Sequence, residues 1–356
     1  MNNKKNPKIL DCTLRDGSYA INFSFTERDT KVISSNIDKL NIPYIEVGHG
    51  VGLGANRLGV NISVATDIEY LKAANKSVKQ GRWGMFCIPG IANLDDVKVA
   101  HDHGIQFIRI GSNIDQIEDS KKFIELARDL GIEVFANFMK SYTQTPQNFA
   151  KLMKQSYEYG AELIYLVDSA GGMLPKELIE YIYEANNLEP KIPLGFHGHN
   201  NLGLAVANAL ICAEQGVDII DTSFQGLGRS SGNVPTEQLI CAMHRANYDI
   251  EIDPIEAMHF GETYIRPRIN SKGHCSLDVM AGYAQFHSSY MPDILDVARE
   301  FNVDPREIIH QLCKIDKLNA PKTLIRNIAG KIEKNKFSLD MEPPWNNYFG
   351  SEQDFQ

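Results

Sequence analysis

Eight short apolar, β-branched-rich runs recur along the chain at a spacing of roughly 25–35 residues, and longer stretches of helical periodicity separate them. They are Ile9–Thr13, Tyr44–Val47, Trp83–Ile88, Phe107–Ile110, Val134–Phe138, Leu163–Val167, Leu194–His197 and Ile219–Phe224. Between them, segments such as Thr26–Leu40, Leu94–His103, Ser120–Leu130, Gln147–Tyr159, Pro175–Ala185 and Leu202–Gln215 carry the helical pattern. Thr26 before Glu27 and Asp29 is a capping signal, and Pro175 stands where a first-turn proline is tolerated. Strands that are apolar almost throughout belong to a parallel sheet covered on both faces. Eight strand–helix units close naturally into a (β/α)8 TIM barrel. A doubly wound open sheet, the competing arrangement, needs fewer units or a reversal of strand order.

The 356 residues suit such a barrel with an appendage. Beyond about residue 250 the strands stop, and Pro254–Thr263, Asp278–His287, Pro292–Phe301 and Pro305–Leu318 read as helices. The organisation expected is therefore a barrel over 1–250, a helical extension over 251–335 and an aperiodic tail over 336–356 that includes MEPPWNNYFG.

A net charge of −9 argues against a nucleic-acid surface, which needs concentrated Lys and Arg. An anionic small molecule remains compatible, provided a metal or a local arginine inverts the field inside the site. The six cysteines (Cys12, Cys87, Cys212, Cys241, Cys275 and Cys313) are scattered with no CxxC pair, as suits reduced thiols in a cytosolic protein. The N-terminus has no apolar segment of signal-peptide length, and no stretch approaches the ~20 apolar residues of a membrane span. The expected location is cytoplasmic, with neither a membrane nor nucleic acid as a partner.

In a barrel of this kind, chemistry sits at the C-terminal ends of the strands. Polar residues gather there. The first strand ends in Thr13-Leu14-Arg15-Asp16, the second holds Glu46 and runs into His49, and the sixth ends at Asp168 followed by Ser169. The seventh ends in His197-Gly198-His199, and the eighth leads into a glycine-rich loop ending at Asn233. Residues two apart on an extended segment point to one side, so His197 and His199 can reach one ion, with no side chain on Gly198 in the way. Asp16 is the natural third ligand. Two imidazoles and a carboxylate leave positions open for substrate, as a catalytic metal site requires. This donor set does not choose among Mn²⁺, Mg²⁺, Zn²⁺ and Co²⁺. Asn233 either adds a ligand or holds its loop. Arg15 at the rim offers fixed donors to a developing enolate or a carboxylate, with Glu46 as its partner. The run Gly48–Gly59 lacks both the ending of a P-loop and the dinucleotide spacing, so it reads as a mobile loop after the second strand.

Five segments together resemble the DRE-TIM metallolyase superfamily, which includes hydroxymethylglutaryl-CoA lyase, isopropylmalate synthase and 4-hydroxy-2-oxovalerate aldolase. They are DCTLRDG (11–17), IEVGHGVGL (45–53), IYLVDSAGGM (164–173), GFHGHNNLGLAVAN (195–208) and GLGRSSGNVPTE (226–237). The likeness spans about residues 8–300, in order. It is nearest to the aldolase branch in LRDGSYAINFSFT, IPYIEVGHGVGLG and GYAQFHSS. In that branch the helical extension completes the site and contacts an acylating aldehyde dehydrogenase.

The resemblance implies a carbon–carbon lyase that cleaves or forms the C3–C4 bond of a 4-hydroxy-2-oxo acid. Its Lewis acid would be a divalent ion, with Mn²⁺ favoured, and Arg15 would stabilise a pyruvate enolate. A 2-oxo acid and an aldehyde are the small-molecule partners implied, and a homo-oligomer is the expected assembly. Two positions depart from the branch. Tyr19 stands where its histidine base is expected and His287 where it has a tyrosine. A phenol of unperturbed pKa about 10 is a poor base at neutral pH, so His287, or secondarily His49, is expected to supply the base. Lys140, at the end of the fifth strand where the aldolases are apolar, either snorkels to solvent or reads an extra anionic or hydroxylated group. It is also the one lysine near a strand end that could form a Schiff base, although no such adduct is expected. With Arg15, Asp168 and Ser169 it makes up the expected substrate-binding set. The alternatives are a Claisen-type synthase joining an acyl-CoA to a 2-oxo acid, and a weakened barrel that acts as a binding protein.

Overall fold

Eight parallel strands close into a barrel in chain order in the computed structural model, which describes residues 6–59, 61–269 and 276–334. The strands are β1 (Lys8–Asp11), β2 (Tyr44–Val47), β3 (Arg82–Cys87), β4 (Phe107–Asn113), β5 (Glu133–Met139), β6 (Leu163–Asp168), β7 (Leu194–Gly198) and β8 (Ile219–Thr222). The ring closes where β1 meets β8, with Lys8 beside Ile219 and Asp11 beside Thr222. The (β/α)8 expectation is borne out.

β1 stops two residues short of the expected Thr13 for a local reason. The Asp11 carboxylate accepts from the Thr13 backbone N–H (3.0 Å) and hydroxyl (2.8 Å), which turns the chain out of the ladder and toward Asp16.

The covering helices are α1 (Glu27–Lys39), α2 (Asp67–Ser77), α3 (Leu94–Asp102), α4 (Ile117–Asp129), α5 (Pro146–Tyr159), α6 (Pro175–Leu188), α7 (Ala205–Glu214) and α8 (Thr236–Arg245). Thr26 and Asp29 form a reciprocal cap at the start of α1, and Pro175 occupies the first turn of α6. α9 (Pro254–Phe260) buries Ala257 and Phe260 in the same core as the barrel helices. α10 (Ser276–Ala284), α11 (Met291–Phe301), α12 (Pro305–Cys313) and α13 (Lys322–Ala329) enclose a second core of their own, running from Leu277 to Ala329. The expected tail at 336–356 lies outside the described residues.

Inside the barrel, alternation along the strands stacks side chains in layers. The floor is apolar: Leu10, Tyr44, Phe107, Phe135, Leu163 and Ile219 belong to one buried cluster. Phe107 and Phe135 stack at 5.4 Å, and Tyr44 meets both rings edge-on. Cys12, Cys87, Cys212, Cys241 and Cys313 are free thiols, while Cys275 lies outside the described residues. No described helix is long and apolar enough to cross a membrane.

Candidate metal centre

At the C-terminal mouth of the barrel the three expected ligands converge. One ligand atom each of Asp16, His197 and His199 lies within 4.8 Å of the others, and all three residues are buried. Asp16 opens the short turn after β1, held by its N–H on the Cys12 carbonyl (2.8 Å). His197 lies on β7 and His199 just beyond it, their rings edge-on at 5.1 Å. Gly198 between them is required, since a Cβ there would stand 2.6 Å from the Phe196 ring.

The surrounding hydrogen bonds leave the correct atoms facing inward. His197 bonds the Asp221 carboxylate through Nδ1 (2.8 Å), leaving Nε2 for the centre, and the Nδ1 of His199 faces the Gly232 carbonyl at 3.3 Å, leaving an Nε2 that meets Arg229 Nη2 at 3.1 Å. A carboxylate behind a ligating imidazole is the usual device for fixing tautomer and aim. Asn233 donates from Nδ2 to Asp16 Oδ2 (2.7 Å), while its buried Oδ1 has no hydrogen-bond partner among the described residues. Asn233 therefore holds its loop and also has an amide oxygen to spare for an ion. Burial opposes the Asp16 charge, but the Arg15 guanidinium, the two histidines and Arg229 override it and hold the carboxyl below the usual range. Burial, reinforced by Arg229, pushes the pKa of His199 down, toward the neutral ring that a ligand needs. The donors present fit a divalent cation.

Arg15 donates from Nη1 to Asp16 (2.6 Å) and from Nε to Glu46 (2.7 Å), and it lies over the Phe86 ring at 4.7 Å. Glu46 is thus the partner expected from sequence. The cleft above them has about 420 Å³ free of protein atoms and is lined by Arg15, Asp16, Tyr19, Asn137, Ser169, His197, His199, Arg229 and His287, among others. Tyr19 and His287 both reach it, the second carried in by the extension. The Nδ1 of His287 bonds Ser289 Oγ (2.7 Å), and burial pushes the pKa of this ring well down.

Three expectations are corrected. His49 is no candidate base: Nδ1 accepts from the Val51 N–H (3.0 Å), Nε2 faces the Asn61 carbonyl (2.8 Å), and the ring stacks on Phe23 outside the cleft lining. Residues 48–55 of its loop are buried, while 57–59 are exposed. Asp168 turns away from the cleft and anchors the following loop through the N–H groups of Gly172 (3.1 Å) and Met173 (2.9 Å). Lys140 neither snorkels nor lines the cleft. Its positive φ of 61° swings it aside, and Nζ donates to the Tyr290 hydroxyl (2.9 Å) and the Leu318 carbonyl (3.1 Å), tying barrel to extension. Burial lowers its pKa to about 8.

Sequence reasoning missed Arg229. Its guanidinium contacts Ser288 Oγ, the Ser169 carbonyl (3.0 Å) and His199 Nε2 (3.1 Å) at the cleft wall. Its only signal was its place in the glycine-rich loop beside Asn233.

The sequence profile described as HMGL-like matches residues 6–263. The chain belongs to the HMGL-like family. Two relatives extend the match over nearly the full length of both chains. The 4-hydroxy-2-oxovalerate aldolase of Geobacillus genomosp. 3 is 33% identical over 92% of this chain and 98% of its own. That of Carboxydothermus hydrogenoformans is 32% identical over 93% and 98%. Among solved structures, the carboxyl transferase domain of Rhizobium etli pyruvate carboxylase superposes with a TM-score of 0.75 at 16% identity, covering 93% of this chain and 61% of that one. The HMG-CoA lyase of Brucella melitensis gives 0.64 at 17% identity, over 75% and 100%. At those identities the two structures speak for the barrel alone, and the family membership seen in the sequence motifs rests on the closer relatives.

Proposed function

We propose that the protein is a divalent-metal-dependent aldolase that cleaves or forms the C3–C4 bond of a 4-hydroxy-2-oxo acid. The observation that carries this reading is the meeting of Asp16, His197 and His199 around one point, with Arg15 beside it and His287 across the cleft. A bound Mn²⁺, or Mg²⁺, Co²⁺ or Zn²⁺ in its place, would be held by Asp16, His197, His199 and the Asn233 amide oxygen, and would supply Lewis acidity toward the 2-oxo acid. Arg15, fixed by Glu46 and Asp16, donates to the oxygen that gains charge as the pyruvate enolate forms. His287 enters as a neutral imidazole, and it takes the proton of the C4 hydroxyl through Nε2 in the tautomer whose Nδ1–H donates to the Ser289 hydroxyl, giving up the long Ser289 N–H contact to that nitrogen (3.3 Å). Tyr19 lines the cleft as well and offers a hydroxyl to the substrate. Ser169 and Arg229 form the adjoining wall, and Arg229 replaces Lys140 and Asp168 as the polar group available to the aldehyde half.

Support for the activity comes from relatives named as aldolases over nearly the whole chain. The working picture is cytoplasmic and homo-oligomeric, with an acylating aldehyde dehydrogenase as the candidate partner of the extension.

The test is to strip purified protein with a chelator, reload it with each ion, and measure pyruvate release over a panel of 4-hydroxy-2-oxo acids. Release that depends on the ion is expected. Free CoA from acetyl-CoA and a 2-oxo acid would point instead to a condensing synthase, and metal binding without turnover to a binding protein. For the base, His287→Ala is expected to lower turnover by about 10²–10⁴. Intact turnover in that variant would remove His287 from the mechanism.

A further inference from the structure

Beneath the cleft, one layer above the aromatic floor, lies a buried charged path that no step above uses in full. From Asp16 it runs through Arg15 to Glu46, whose Oε2 also accepts from Arg109 Nη1 at 2.9 Å. The other arm of Arg109 pairs with Asp221 Oδ2 at 2.5 Å, and that same oxygen meets His197 Nδ1 at 2.8 Å. Two guanidinium cations thus alternate with three carboxylates along a chain of side chains that begins at one ligand and ends at another. Arg109 is its middle link. It has no exposed surface, lies over the Tyr165 ring at 4.3 Å, and donates a further bond from Nη2 to Asn137 Oδ1 at 2.9 Å.

Packing does not account for an arginine here. Two residues earlier on the same strand, Phe107 fills the barrel with a ring, and buried ion pairs are often replaceable by apolar side chains without loss of stability. The network is also costly in itself, because Arg109 Nε and Glu46 Oε1 are buried without a hydrogen-bond partner among the described residues. What a guanidinium supplies, and an apolar group or a lysine does not, is two donors at a fixed separation in one plane. Those donors set Glu46 against Arg15 on one side and Asp221 against His197 on the other.

We propose that Arg109 is a positioning residue of the metal centre, a single strut that aims the Arg15 guanidinium and the His197 imidazole at the same point. The inference rests on the metal reading above. It makes ion affinity depend on a residue that touches neither ion nor substrate.

Calorimetric titration of Mn²⁺ into the chelator-stripped full chain tests it on the parent, Arg109→Lys, Asp221→Asn and the double variant, with far-UV circular dichroism confirming that each is folded. Lysine keeps the buried charge, and hence the fold, but cannot span both carboxylates. Arg109→Lys is expected to bind about ten- to a hundredfold more weakly, the range for groups that orient ligands. Because Arg109 acts through Asp221, the double variant should lose clearly less than the product of the two single losses. Binding by Arg109→Lys within about threefold of the parent, or losses that multiply, would overturn the strut. A parent that binds no Mn²⁺ would instead overturn the metal reading, so the two failures are distinct.

Discussion

Phe107 and Arg109 point into the same barrel from the same strand, two residues apart, and they sit in opposite kinds of matter. Around Phe107 the floor is rings and aliphatic chains. Around Arg109 the next layer is Glu46, Asn137 and Asp221, with His197 beyond. Strand geometry treats the two positions alike, so the division reflects what each layer is for. The floor excludes water and contributes apolar burial. The layer above gives up much of that contribution to hold charges in fixed relation, which is stabilising only to the extent that each charge is paired. The lesson is that stability and chemistry are separated here by height along the barrel axis.

The sharpest way to break that division is at His197. His197→Ala is expected to lower pyruvate release by more than about 10³-fold, beyond the cost of one lost oxyanion donor. In chelator its unfolding free energy should fall by about 1–3 kcal/mol, because Asp221 loses one buried partner but keeps Arg109. The floor should behave the other way round. Phe135→Ala removes a fully buried ring that contacts Phe107, Tyr44 and Tyr165, and is expected to cost about 3–5 kcal/mol in denaturant unfolding. The turnover number of its folded fraction should stay within about threefold of the parent. A floor variant that remains stable but inactive, or a His197 variant that unfolds, would show that the layers are not separable.

The same geometry explains what the sequence disclosed and what it withheld. The strands were legible because parallel strands covered on both faces are apolar throughout, and the ligands were legible because His197 and His199 stand two apart at a strand end. Arg109 and Asp221 were overlooked inside runs read as apolar, although alternation places them on the same side as Phe107 and Ile219. Asp168 was placed in the cleft by its position at a strand end. Alternation opposes this, since its neighbours Val167 and Ser169 are the residues that line the cleft. Lys140 could not have been placed at all, because a left-handed backbone at the end of β5 breaks the alternation there.

Asp168 also offers the smallest and most specific test, since it belongs to neither layer. It lies behind the wall, with its carboxyl buried, and burial raises its pKa to about 6 despite the N–H groups of Met173 and Gly172. In the unfolded chain its pKa is near the ordinary 3.8, so between the two values the folded state binds the extra proton. The stability this contributes is therefore complete below about pH 4 and is lost as pH rises through about 6. Asp168→Asn keeps an acceptor for the loop and has no proton to exchange. Measured against it, the parent should lose on the order of 1–3 kcal/mol of unfolding free energy between pH 4.5 and pH 7.5. An offset between the two proteins that does not change with pH would mean that this carboxyl is solvated when folded. The loop carrying Ser169 would then be anchored by something other than a buried acid.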